Sequence, residues 1–68
     1  MTDYREITTR LTARSTQALG ELTARTGLNE TDIVNRALQM YASIAAKQAS
    51  GAQILEVKGG AAHALTWE

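Results

Sequence analysis

At 68 residues the chain is long enough for one domain and too short to bury a large core by itself, so it needs a staple. It has no cysteine for a disulfide, and its single His63 has no Cys or second His with which to share a zinc site, which leaves association with another chain. Seven Lys and Arg balance seven Asp and Glu, so attraction to a charged partner must come from local placement of charge and not from the total. Tyr4, Tyr41 and Trp67 are too few and too scattered to stack successive bases of a single strand.

The first six residues lack the apolar run of a signal peptide, and no stretch approaches membrane-spanning length. With the absence of cysteine, this gives the expectation of a soluble, cytoplasmic protein with no membrane partner.

Residues 7–11, Ile-Thr-Thr-Arg-Leu, are rich in β-branched types. Ile7, Thr9 and Leu11 alternate with Glu6, Thr8 and Arg10, the period of a strand. No second strand follows closely, and a lone strand leaves its backbone donors and acceptors unpaired. A second copy of the chain can supply the missing neighbour.

Thr12 reads as a helix N-cap, and residues 13–25 form a helical segment with Ala18, Leu19 and Leu22 on one side. Gly20 lies inside it, at a cost of up to about 1 kcal/mol relative to Ala, and Ser15 interrupts the apolar stripe. This helix must be held by packing more than by propensity. Thr26-Gly27-Leu28 reads as a stop, with Gly27 suited to the left-handed position after a helix end.

Asn29 is a second N-cap. Glu30 and Asp32 favour the positive end of the helix dipole, and Asn29 with Asp32 has the spacing of a loose capping box. Ile33, Val34, Ala37, Leu38, Tyr41, Ala42, Ile44 and Ala45 then recur in steps of three and four, predicting an amphipathic helix to about Lys47 or Gln48. Residues 49–51, Ala-Ser-Gly, break it. Residues 53–58 and 61–67 flank Gly59-Gly60, a tight-turn signal, and predict a C-terminal β-hairpin. An isolated hairpin is marginal in water, so this one is expected to lie against the helices, a symmetry mate or a partner.

Strand, helix, glycine turn and capped amphipathic helix over residues 5–46 resemble the ribbon-helix-helix family of Arc-, MetJ- and CopG-like repressors. The resemblance is carried by Arg10-Leu11, Leu19 and Leu22, Thr26-Gly27, Asn29-Glu30-Thr31-Asp32, Ile33-Val34 and Ala37-Leu38. Thr12 and Leu28 depart from the family pattern, which often has Pro after the strand and a basic residue after the turn glycine.

The resemblance implies a mainly α fold with a short N-terminal strand, paired antiparallel with its copy in a homodimer. Residues 1–48 would form the dimerisation and DNA-binding domain, with 49–68 as an extension. The ribbon would enter the major groove, with Glu6, Thr8 and Arg10 reading bases. Ile7, Thr9, Leu11, Leu19, Leu22, Ile33, Val34, Ala37, Leu38 and Tyr41 would form the dimer core. The start of the second helix, at Asn29, Glu30 and Thr31, would clamp a phosphate.

The chemistry suits the roles: Arg10 can donate twice to guanine, Thr8 can meet a base edge or a thymine methyl, and Glu6 can accept from a cytosine amino group. Glu6 has an alternative, pairing with Arg5 or Arg10 in the free protein. Arg5, Arg14 and Arg36 can contact phosphate or serve as ordinary surface charge. His63 and Trp67 read as hairpin side chains, Trp67 capping an apolar cluster.

No phosphate loop, carboxylate pair or nucleophile with a base is present, so neither an enzyme nor a cofactor is expected. The expected function is a sequence-specific transcriptional repressor of prokaryotic or phage type, bound to the nucleoid with its operator and able to assemble cooperatively there. Two alternatives stand beside it. One is an antitoxin that grips a toxin through residues 51–68, and the other is a dimerisation scaffold without DNA binding.

Overall fold

A computed structural model of the chain describes residues 3–65. The elements run in the order α1 (Ala13–Thr26), α2 (Glu30–Ala49), β1 (Leu55–Lys58) and β2 (Ala61–Ala64). The chain divides into two units between Ile33 and Val34, inside the first turn of α2.

In the first unit, α1 begins after Thr12, which is still extended at φ −67° and ψ 164° and whose side-chain oxygen accepts from the Ser15 backbone N–H at 3.1 Å. Thr12 Oγ1 also donates to Ser15 Oγ at 2.9 Å. Ser15, which interrupts the apolar stripe, thus serves the cap. The helix ends at Gly27, whose φ of 73° places it in the left-handed region and whose N–H donates to the Thr23 carbonyl at 3.0 Å. That single bond is the simpler of the two common glycine stops. Thr26 tightens the exit: its hydroxyl donates to the Leu22 carbonyl at 2.7 Å and accepts from the Leu28 N–H at 3.1 Å. Burial in this unit falls on Leu19, Thr23 and Leu28, which are half-buried, and on Ile33, which is 7% exposed.

Helix α2 starts one residue after Asn29, as its cap spacing requires, and runs two residues past Lys47. Its end is the double-bonded glycine stop. Ala52 N–H donates to the Lys47 carbonyl at 3.0 Å and Gly51 N–H to the Gln48 carbonyl at 3.0 Å, with Gly51 at φ 93°. Ser50 Oγ donates to the same Lys47 carbonyl at 2.7 Å.

At 100° per residue, Met40, Ile33, Ile44, Ala37, Tyr41, Val34, Ala45 and Leu38 cover an arc of roughly 160° on α2. Asn35, Gln39, Asp32, Ser43, Arg36 and Lys47 occupy the opposite side. Most of the apolar arc is open: Ile44 is half-buried, while Val34, Leu38 and Tyr41 are 41, 56 and 59% exposed.

The C-terminal hairpin forms as a two-stranded antiparallel sheet in the register Leu55↔Ala64, Glu56↔His63, Val57↔Ala62 and Lys58↔Ala61. Gly59 at φ 59° and Gly60 at φ 80° make the two-residue turn whose central residues both need positive φ, the twist that antiparallel strands prefer. The expected strand at 53–58 is shorter at its start. Beyond the ladder, Leu65 N–H donates to the Ile54 carbonyl at 2.9 Å. Trp67, expected to cap an apolar cluster, lies outside the described residues.

The expected N-terminal strand requires correction: the strands of this chain are C-terminal, and residues 3–11 have no regular secondary structure. Among the described residues, 5–11 enter no backbone hydrogen bond. The reason is that a strand exists through its ladder, and the period-two pattern of 6–11 meets no neighbouring strand within its own chain.

Replacing Gly59 and Gly60 together by Ala forces two side chains into positive φ, at about 1–2 kcal/mol each. A two-stranded hairpin has little stability to spare. NMR should then show loss of the cross-strand contacts between Val57 and Ala62, while the helical circular dichroism of α1 and α2 is kept.

Candidate nucleic-acid interface

Residues 5–14, which run into the first turn of α1, carry Arg5, Arg10 and Arg14 against Glu6, with Asp3 just before them. All of 3–11 is exposed, including both alternating sets. Glu6, Thr8 and Arg10 are open as a reading set requires. Ile7 at 63% and Leu11 at 47% are open as well, so burial within the chain does not distinguish the two faces. Glu6 forms no ion pair with Arg5 or Arg10, so all three side chains retain their bonding capacity.

The cap joining the segment to α1 gives it a fixed point. Thr12 is held at both its side chain and its carbonyl, which accepts from Thr16 N–H at 2.9 Å. Arg10 is therefore two residues from an anchored position, with Arg14 in the first turn of α1 on the other side.

The start of α2 offers a second donor group, and the structure specifies how Asn29 is used. Asn29 Oδ1 accepts from the Asp32 N–H at 2.8 Å, and the Asn29 carbonyl accepts from Ile33 N–H at 3.1 Å. Because the oxygen of the amide is committed to the cap, its Nδ2 is left to donate outward. The backbone N–H groups of Asn29 and Glu30 have no partner among the described residues. Two backbone donors and one amide donor at the positive end of a 20-residue helix suit an anionic oxygen. The carboxylates of Glu30 and Asp32 in the first turn oppose it. The N-cap role that the sequence gives Asn29 already requires its amide oxygen to face the helix, and the structure has it so.

Arg36 reads in the sequence as a phosphate contact or ordinary surface charge, and His63 as a hairpin side chain. Arg36 is on the polar side of α2, and His63 is on β2 opposite Glu56. Among the described residues no three His, Asp or Glu side chains gather to hold a metal ion, and no helix is long and apolar enough to cross a membrane.

Asn29→Ala should lower stability by about 1 kcal/mol, through loss of the cap. Asn29→Asp keeps an oxygen at the same place and should stay within a few tenths of a kcal/mol of the native chain. Urea denaturation monitored by circular dichroism separates the two.

The chain matches no family model, no curated protein sequence and no solved structure.

Proposed function

We propose that the chain is a ribbon-helix-helix DNA-binding protein, a homodimeric transcriptional repressor that reads the major groove with a β-ribbon made from residues 6–11 of two copies. The observation that carries this reading is the arrangement on either side of Thr12. An alternating segment without backbone partners leads directly into a capped helix, a left-handed glycine and a second capped helix with an uncovered apolar arc. One symmetric partner meets both deficits: its own copy of 6–11 completes a ladder, and its own α2 covers Val34, Leu38 and Tyr41.

Within this reading Arg10 and Thr8 are the principal base contacts, and Glu6 accepts from a cytosine amino group where the sequence offers one. Phosphate oxygens meet Asn29 Nδ2 and the first N–H groups of α2, setting position without reading sequence. The neutral total charge is compatible with binding because the arginines of residues 5–14 are doubled across the two-fold axis. Affinity per dimer is then modest, and several dimers on neighbouring half-sites reinforce one another.

A second reading, an antitoxin that holds a toxin through residues 51–68, draws on Leu55, Val57 and Leu65, which are 49, 70 and 45% exposed. It expects a tail that orders only on binding. Slow amide exchange across 55–64 in the isolated protein counts against it.

Selection of preferred duplexes by the purified protein should yield a two-fold symmetric site. On that site Arg10→Ala should lose about 1–3 kcal/mol of affinity and relax preference at one base pair per half-site, measured across a range of salt. Equal affinity of native and Arg10→Ala protein for every duplex overturns the proposal.

A further inference from the structure

The outer edge of β1 is self-complementary, and we infer that it pairs antiparallel with β1 of a second copy, joining two hairpins into a four-stranded sheet. This surface is separate from residues 5–14 and does not depend on the proposed DNA binding.

The hairpin's own ladder fixes which groups face outward. The Leu65 N–H to Ile54 carbonyl bond makes 54 and 65 a hydrogen-bonded pair. Alternation then makes 56/63 and 58/61 the other such pairs and turns the N–H and C=O groups of Leu55 and Val57 toward the open edge of β1. An antiparallel copy that places Val57 opposite Val57 uses those groups: the two Val57 residues exchange both of their backbone bonds.

The same register puts Glu56 opposite Lys58 of the second copy, and Lys58 opposite its Glu56. Both are non-hydrogen-bonded positions, where Cα atoms are only about 4.5 Å apart and side chains meet most closely. Neither Glu56 nor Lys58 has an ion-pair partner among the described residues, so both charges are available.

Charge also excludes the neighbouring alignments. A slip of two residues one way sets Glu56 against Glu56, and two residues the other way sets Lys58 against Lys58, both unfavourable. A slip of one residue turns the paired side chains to opposite faces. Lysine on an edge strand ordinarily discourages pairing. Here it discourages every nearby register but one. In that register Leu55, Val57, Ala62 and Ala64 of both hairpins form one continuous apolar face, in which the exposed Val57 gains a neighbour.

Charge exchange in the full chain tests the inference by sedimentation velocity and amide exchange. Glu56→Lys alone and Lys58→Glu alone each turn two attractions into two repulsions, and each should weaken one association step by about tenfold or more. The double exchange E56K/K58E should restore it. An equimolar mixture of the two single variants should also restore it, because a Lys-Val-Lys strand complements a Glu-Val-Glu strand. In the native chain the Val57 amide should gain protection as concentration rises, and in each single variant it should not. Association equal in all variants, a mixture no stronger than its components, or a Val57 amide that exchanges freely at every concentration overturns the inference. Protection of Val57 that survives both single exchanges likewise overturns it, and points to another strand, such as residues 6–11, on this edge.

Discussion

Every backbone N–H and C=O must find a partner in the protein or in water, and in this chain the places where protein supplies it differ sharply from those where water is left to. Both helices are closed from within: Thr12 and Asn29 cap their starts, and Gly27 and Gly51 let the chain turn back on its last carbonyls. Residues 5–11 and the outer edges of the hairpin have no such provision. The first kind of segment is defined by its own chain, whereas the second leaves backbone groups open to water or to another strand. The expected base-reading residues lie in a segment of the second kind, and the expected phosphate clamp at Asn29 in one of the first.

The apolar surface follows the same division. Fully burying a side chain such as Val, Leu or Ile is worth about 1.5–3 kcal/mol, and burial of this kind is the main force that holds short helices in proteins. On α2 that gain is realised at Ile33 and in part at Ile44, and is left open at Val34, Leu38 and Tyr41. These positions leave α2 with apolar surface whose burial remains available.

Legibility in the sequence tracked the range of the interaction. Thr12, Gly27, Asn29 and Gly59-Gly60 act on backbone groups within a few residues, and each marks in the structure the boundary it marks in the sequence. The end of α2 is one or two residues later than the apolar period suggests, because the Lys47 carbonyl is shared by Ser50 and Ala52 in a stop that periodicity does not register. The N-terminal strand was legible as a pattern and absent as an element, since the pattern meets no neighbouring strand among the described residues. At the candidate interface, residue identity indicated Arg10, Thr8 and Asn29, and the N-cap role of Asn29 also indicated the orientation of its amide. The charges of β1 were in plain view as Leu-Glu-Val-Lys, and acquired meaning only once the hairpin register showed which side of the strand is open.

The paired glycines of the hairpin have a thermodynamic consequence of their own. Gly59 and Gly60 reach positive φ without strain, but glycine also gives up the most conformational freedom on folding, so the turn permits closure more than it drives it. A two-stranded hairpin closed this way has only marginal stability of its own. Any strand that adds to β1 then acts as a ligand for the folded form, and by mass action the melting temperature of this small sheet becomes a function of protein concentration.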